Sequence, residues 1–266
     1  MVNAHAGGIV LENVGHAFRR HGQALRALDG ISLTIRPGEF VSLVGPSGCG
    51  KTTVLDLMSG LLPLQRGTLL VGGRPPEAGR ADTARMFARD ALLPWRTAYA
   101  NIDFAVATRQ ADRARRDAAI RALLADVGLA GFEQAYPRQL SQGMRQRVAL
   151  ARTFSLESEH IFLDEPFGAL DAQTKLMLQD QLLSLWERVR STVVLVSHDL
   201  AEAVALSDRV IVMSARPGRI IADVPIDLPR PRSASKLQAM RAFHELYAQL
   251  WGELERAVAT PHGAAT

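Results

Sequence analysis

One stretch of nine residues constrains the fold of this chain more than any other part of it. The stretch reads Gly45, Pro46, Ser47, Gly48, Cys49, Gly50, Lys51, Thr52 and Thr53, and it fits the pattern G-x-x-x-x-G-K-[ST]. Only a glycine-rich loop lets successive backbone N–H groups turn inward around a polyphosphate. Such a loop follows a buried strand and precedes a helix whose positive end faces the phosphates. The apolar run 40–44 and the helical pattern 53–58 meet both requirements, so we disfavour a glycine-rich turn that binds nothing.

The rest of the pattern predicts an α/β fold with an inserted helical block. Short apolar runs at 9–11, 31–35 and 68–71 predict a small antiparallel sheet. Later apolar runs at 161–163, 193–196 and 210–213 alternate with helical patterns at 173–189 and 200–205. That alternation indicates a parallel sheet, which the strand 40–44 would share. A helical block at 94–157, with a helix at 111–127, separates the two groups of strands.

The carboxyl-terminal part predicts one more helix. Residues 229–232 alternate proline and arginine and predict a stiff break. The following pattern predicts a single helix over 237–258, and we expect 260–266 to be disordered. One face of that helix would carry Phe243, Leu246, Tyr247, Leu250 and Trp251.

Composition indicates which partners and which cellular compartment to expect for this protein. The 266 residues carry a net charge of +4, and arginine supplies nearly all of the positive charge, because there are only three lysines. The arginines are scattered among acids, so we expect a solvated surface and no nucleic-acid partner. No apolar run reaches the roughly 18 residues of a membrane span, and residues 1–8 do not resemble a secretory leader. A single cysteine suits a reducing cytoplasm.

Five residues in this pattern are candidates for phosphate chemistry. Lys51 can reach the β- and γ-phosphates, and the Thr52 hydroxyl can bind Mg²⁺. Asp164 and Glu165 follow a buried strand directly, where Asp164 would hold Mg²⁺ and Glu165 would deprotonate the attacking water. His198 ends the next strand and could contact the γ-phosphate or that water, although a lone histidine is more often structural.

A second anion site follows Leu140. Ser141 suits a helix N-cap, and Ser141, Gln142 and Gly143 would present a hydroxyl and free N–H groups at a helix start. The loop 45–53 is a phosphate-binding loop, or P-loop, and it already encloses one triphosphate. A second phosphate-facing element therefore suggests use across a dimer.

Together these residues resemble the ATP-binding subunit of an ABC transporter over about residues 9–226. The resemblance rests on the P-loop, on residues 140–143 as the signature sequence, on residues 163–166, on residues 169–171 as the D-loop with Asp171, and on His198 as the switch histidine. It implies a P-loop NTPase (RecA-like) core with an N-terminal antiparallel β-subdomain and an inserted helical subdomain. It further implies an ATP-binding domain at 1–230, with the helical insert at about 94–157, and a helical extension and tail at 231–266.

The same resemblance implies cofactors and partners. ATP and Mg²⁺ would bind at the P-loop, with Phe18 stacked on adenine and Ser141, Gln142 and Gly143 acting from a second copy in a homodimer. The dimer would drive integral membrane permease subunits from the cytoplasmic face of the inner membrane, as a peripheral protein. A periplasmic or extracellular substrate-binding protein would act through the permease.

Two positions depart from the family pattern. Gln142 stands where the family's signature has glycine, and we expect the site to survive because Gly143 is retained. Ala88 stands where the family has the Q-loop glutamine, which contacts Mg²⁺ and moves with the membrane partner. No glutamine occurs anywhere in 66–109. Alanine can neither bind a metal nor donate a hydrogen bond, so we expect altered coupling unless Asp90 or a water compensates.

The residues also suggest a transporter subfamily and a reactive thiol at Cys49. The segment 91–97, the segment 214–220 and the break at 228–232 resemble importers of nitrate, taurine and aliphatic sulfonates. Two other classes remain as alternatives: a soluble ABC protein acting on ribosomes or nucleic acid, and a small-molecule kinase. We also expect alkylation of Cys49 to block ATPase activity, with protection by bound ATP; the alternative is a small filler residue that reagents never reach.

Overall fold

The computed structural model describes residues 7–20, 23–168 and 170–259. Its strands are β1 (Ile9–Arg20), β2 (Gln23–Ile35), β3 (Phe40–Val44), β4 (Arg66–Val71), β5 (Thr83–Met86), β6 (His160–Asp164), β7 (Thr192–Val196), β8 (Arg209–Met213) and β9 (Ile220–Pro225). Its α-helices are α1 (Lys51–Met58), α2 (Ala98–Val106), α3 (Arg113–Asp126), α4 (Gln142–Phe154), α5 (Ala172–Val189), α6 (Leu200–Leu206), α7 (Ala234–Leu237) and α8 (Arg241–Ala259).

The strands form two sheets, as the sequence predicts. A three-stranded antiparallel sheet has the order β2-β1-β4, and a six-stranded sheet has the order β5-β6-β7-β3-β8-β9. The second sheet is parallel from β5 to β8, and β9 pairs antiparallel with β8. The three central strands β6, β7 and β3 are buried along their whole length, which explains their nearly continuous apolar sequences.

The main sheet separates two apolar cores. On β7, Val193 and Leu195 belong to the core shared with the helical block and the carboxyl-terminal helices, while Val194 and Val196 belong to the core beneath the antiparallel sheet. This alternation follows from the two-residue period of a strand. Because β3, β6 and β7 run parallel to one another, their carboxyl ends meet at one edge of the sheet.

The helical block contains α2, α3 and α4. A side-chain oxygen caps each of these helices: Thr97 accepts from the Ala100 N–H, Asp112 from the Ala114 N–H, and Ser141 from the Met144 N–H. The predicted N-cap at Ser141 is confirmed. None of the helices in the described part of the chain combines the length and hydropathy that a membrane crossing requires.

Three features of the secondary structure differ from the sequence prediction. The pattern did not reveal β5, because its central Arg85 interrupts the apolar run, and it did not reveal β9, an antiparallel edge strand. Both strands of the amino-terminal hairpin are also longer than their apolar runs.

The predicted single helix over 237–258 is wrong at its start, and of the five residues predicted for its apolar face only Trp251 is exposed. The chain forms the short α7 and then begins α8 at Arg241. Asp180 accepts from the Ala234 N–H at 2.6 Å, which holds α7 against α5. On α8, Phe243 and Leu250 are buried, whereas Trp251 is 49% exposed at the edge of the stripe. The predicted disorder at 260–266 lies outside the described residues.

Candidate active site

The P-loop connects β3 to α1 at the edge where the central strands end. The Lys51 ammonium folds back onto the loop and donates to the Gly45 and Pro46 carbonyls at 2.8 and 3.0 Å. Gly50 has a φ of 108°, and a β-carbon there would lie 2.6 Å from the Leu28 Cδ2 atom. Glycine at this position is therefore required both by the backbone and by the contact.

A cavity of about 370 Å³ opens above this loop. Its lining is Phe18, Leu25, Ala27, Ser47, Gly48, Gly50, Lys51, Thr52, Thr53, Glu165 and Arg216. Phe18 is 40% exposed, and its ring makes an edge contact with His16. Of the predicted nucleotide contacts, Gly45, Pro46 and Cys49 do not line the cavity; Gly45 and Pro46 support Lys51 from behind.

A larger cavity of about 530 Å³ lies elsewhere, between α2, α3 and the ends of α4 and α5. None of the predicted site residues lines it. We therefore place the chemistry at the smaller P-loop cavity, where the charged and hydroxyl groups converge.

Asp164 and Thr52 are close enough to share a metal ion. The Thr52 hydroxyl donates to Asp164 Oδ1 at 3.2 Å. Burial raises the pKa of the Asp164 carboxyl, and the nearby Arg85 and the Thr52 hydroxyl act in the opposite direction. Mg²⁺ takes few protein oxygens and completes its shell with phosphates and water, so this pair fits such an ion.

Arg85 is a member of this site that the sequence analysis did not identify. Its guanidinium is only 7% exposed and lies 3.2 Å from Asp164 Oδ2 and 2.8 Å from Asp56 Oδ1. It also donates to the Ser59 hydroxyl at 3.1 Å. Burial lowers the pKa of Arg85, and the two carboxylates oppose that shift. The only signal in the sequence was an arginine inside an otherwise apolar strand.

Glu165 and His198 face each other at the ends of β6 and β7. The His198 Nδ1 atom lies 3.4 Å from Glu165 Oε2, and both side chains are partly exposed, at 56% and 38%. Glu165 has a φ of 45° and donates its N–H to the Val196 carbonyl at 2.9 Å. A non-glycine residue in this left-handed conformation is strained, and such strain is often kept at functional sites.

Lys175 ties the start of α5, which Asp171 caps, to Asp199, the residue after His198. Asp171 caps α5, and one turn later Lys175 pairs with Asp199 at 3.0 Å and with Glu202 at 2.9 Å. Asp199 follows His198 directly and caps α6. Burial alone would lower the pKa of Lys175, but its bonds to the two carboxylates raise it overall; burial raises the pKa of Glu202.

The signature residues form a separate small cavity. Ser141, Gln142 and Gly143 line a space of about 280 Å³ together with Leu170, Asp171 and neighbouring side chains of α4 and α5. No residue lines both this cavity and the P-loop cavity. Ala169, the first residue of the predicted D-loop, lies outside the described residues.

The structure gives the segment around Ala88 a different set of contacts from those expected. Ala88 is exposed. The Asp90 carboxylate, the expected substitute for the missing glutamine, pairs with Arg145 of α4 at 2.9 Å and accepts from the Leu92 N–H at 3.2 Å. Asp90 therefore links this segment to α4, and Arg85 is the side chain of β5 that contacts the Asp164 carboxylate.

The expectation for Cys49 fails on accessibility. Its side chain is 1% exposed and belongs to the core beneath the antiparallel sheet. The structure thus favours the buried filler over a thiol that reagents reach.

Comparison with known proteins decides the family. The family described as ABC transporter matches residues 28–168. The chain belongs to the ABC transporter family. Its structure resembles a dimeric ATP-binding cassette in a post-hydrolysis state bound to ADP and Pi, with a TM-score of 0.74, 27% identity, and coverage of 83% of this chain and 100% of that one. The predicted α/β P-loop fold and the prediction of an ABC-type ATPase are confirmed.

Its relatives within the ABC transporter family include importer subunits. It is 44% identical to an uncharacterized ABC transporter ATP-binding protein of Methanocaldococcus jannaschii, over 86% of this chain and 85% of that protein. It is 42% identical to the aliphatic sulfonates import ATP-binding protein SsuB of Bacillus subtilis, over 85% and 88%. It is 38% identical to the bicarbonate transport ATP-binding protein CmpD of Synechococcus elongatus, over 90% and 87%. These comparisons favour the transporter subunit over the ribosomal, nucleic-acid and kinase alternatives.

Proposed function

We propose that this chain hydrolyses ATP as the energy-coupling subunit of an ABC importer for small anions, such as aliphatic sulfonates, taurine or nitrate. The observation that carries the hydrolytic role is that Lys51 and Glu165 line one cavity at the edge of the sheet, with the His198 Nδ1 atom 3.4 Å from Glu165 Oε2. The importer class rests on the sulfonate and bicarbonate relatives, whose substrates are small anions.

Each residue of the site has a distinct task in this proposal. Lys51 leaves the Gly45 and Pro46 carbonyls to bind the β- and γ-phosphates, while the loop N–H groups cradle them. Glu165 takes the proton of the attacking water, and His198 orients Glu165 and the γ-phosphate. Thr52 and Asp164 would hold Mg²⁺, which neutralises charge developing on the phosphates. Phe18 would stack on the base.

Two copies of the chain complete two sites in the proposed complex. The signature cavity and the P-loop cavity share no lining residue, and the dimeric cassette it resembles was solved with ADP and Pi. Ser141 and Gly143 of one copy would meet the phosphates bound at Lys51 of the other. The dimer would sit at the cytoplasmic face of the membrane, on permease subunits that receive substrate from a binding protein.

The surface suited to the permease lies beside β5 and α2. Trp95 is 70% exposed, Phe104 56% and Phe87 43%. Exposed aromatic side chains of this size are common at protein interfaces. Because Asp90 and Arg145 join this region to the signature helix, a movement of the permease could reach the site across the dimer. Co-purification with a membrane protein would separate this proposal from a soluble ABC protein.

The hydrolytic role is tested by Glu165→Gln. We expect the variant to bind MgATP normally, because the P-loop is untouched, and to hydrolyse it roughly 10²–10⁴-fold more slowly, the share of a general base. The matched control is Glu159→Gln, at an exposed glutamate just before the same strand, which should keep the native rate. Steady-state phosphate release measures both. A native rate for Glu165→Gln would assign the base elsewhere.

A further inference from the structure

The turn between β8 and β9 is pressed against the P-loop. The Gly218 N–H donates to the Ala27 carbonyl at 2.8 Å, and the Asp29 N–H donates to the Gly218 carbonyl at 3.0 Å. A β-carbon at Gly218 would lie 2.1 Å from the Cys49 carbonyl oxygen, so only glycine allows this approach. The turn is therefore held in place by the hairpin on one side and by the P-loop on the other.

This arrangement brings Arg216 to the mouth of the P-loop cavity. Its Nε donates to the Gly48 carbonyl at 3.3 Å, and its side chain lines the cavity together with Phe18 and Lys51. A guanidinium has five N–H donors, and the remaining ones have no acceptor among the described residues. No carboxylate of the described chain pairs with it either.

Arg219, in the same turn, is a contrasting case. Its guanidinium pairs with Asp29 at 2.5 Å, so its charge is compensated within the chain. Arg216 instead presents an uncompensated planar cation to a cavity that the proposed function fills with a polyanion. Guanidinium groups bind phosphate oxygens through pairs of parallel hydrogen bonds, which is why arginine is common at phosphate sites.

We propose that Arg216 is a further nucleotide-binding residue that contacts the phosphate chain from its position beside Gly48 of the P-loop. The proposal rests on the function proposed above and extends it. It assigns a role to the segment 214–220, which the proposed function otherwise leaves without one. Arg216 thereby raises the affinity for the phosphorylated nucleotide before any second copy joins the site.

The test compares nucleotide binding by the full-length chain and its variants. Isothermal titration calorimetry with Mg²⁺ would use a non-hydrolysable ATP analogue, ADP and adenosine as probes. We expect Arg216→Ala to weaken binding of the ATP analogue about three- to tenfold, the range for a charge-assisted bond at an exposed position. The loss should shrink for ADP and vanish for adenosine, and Arg216→Lys should recover part of it.

The control is Arg219→Ala, which removes the same charge from the same turn. We expect it to bind all three probes like the native chain. Equal losses in the two variants would overturn the proposal, since they would indicate a long-range field or a disturbed turn. If Arg216→Ala bound the ATP analogue with native affinity, the proposal would be overturned too, even if the variant had lost ATP-driven dimerisation. Failure of the proposed function itself would be recognised separately, by native binding in Lys51→Ala.

Discussion

At the scale of single residues, the Asp164 carboxylate has a partner, Arg85, that the sequence analysis did not predict. Asp164 has one oxygen on Thr52 and the other on Arg85, and Arg85 also pairs with Asp56. A buried carboxylate needs a counter-charge, and the guanidinium provides one. Arg85 therefore opposes the effect of burial on the pKa of Asp164 and orients its carboxylate.

Replacing Arg85 by methionine tests that role. The change leaves the buried Asp164 and the half-buried Asp56 carboxylates without their cation, so we expect it to lower the free energy of unfolding by about 3 kcal/mol. Adding Asp56→Asn should recover part of the loss, because one of the uncompensated charges is then gone. Urea denaturation followed by circular dichroism measures both variants.

The control for this measurement is Arg74→Met. Arg74 pairs with Asp82 at 3.0 Å but is 69% exposed. Such exposed pairs contribute less than about 1 kcal/mol. A loss for Arg85→Met no greater than that of the control would contradict the assigned role.

At the scale of elements, α5 and α6 are joined at the point where each begins. Lys175 on α5 contacts Asp199, the N-cap of α6, and Glu202 on α6, and the Ser197 hydroxyl donates to Glu202 at 2.5 Å. Because Asp171 caps α5 and His198 lies just before the Asp199 cap of α6, this cluster links the start of α5 to the segment that holds His198. Lys175 is thus a positioning residue: it lines no part of the P-loop cavity.

The expected effect of Lys175→Met is therefore on turnover and not on binding. Misplacing His198 by a fraction of an ångström should lower kcat about 10- to 100-fold, while KM for ATP stays near native. Lys175→Arg keeps both contacts possible and should recover much of the rate. Lys236→Met, which removes an exposed lysine from α7, is the control. A proportional rise in KM, or no rescue by arginine, would show that the cluster acts otherwise.

At the scale of the whole molecule, the P-loop and the signature residues Ser141, Gln142 and Gly143 form two separate cavities. Different elements build the two cavities, and Ser141 and Gln142 are exposed. Ser141 caps α4 by accepting from the Met144 N–H, and the first turn of a helix favours an anion. The dimer proposed above would bring the signature cavity of one copy to the P-loop cavity of the other.

Sedimentation velocity of Glu165→Gln tests this organisation. We expect monomers without nucleotide and dimers with MgATP, because ATP joins the two halves and the variant hydrolyses it slowly. Adding Ser141→Arg should abolish the dimer by filling the signature site, while each chain still binds MgATP. If Glu165→Gln alone stayed monomeric with and without MgATP, a dimer joined by ATP would be ruled out.

The sequence by itself determined the features that depend on local backbone chemistry. The glycines and Lys51 of the P-loop, the N-cap at Ser141, and Asp164 and Glu165 at the end of an apolar strand all derive from short-range rules. Such rules act between residues that are neighbours along the chain, so they can be read without coordinates.

Only the tertiary structure decided which distant groups meet. Arg85 reaches Asp164 because β5 pairs with β6, Arg216 reaches Gly48 because the β8–β9 turn packs on the P-loop, and Cys49 is buried by the antiparallel sheet above it. The same holds for α8, which begins late and leaves Trp251 exposed. Contacts of this kind depend on sheet order and packing, which no local pattern encodes, and they place the charges that govern the site.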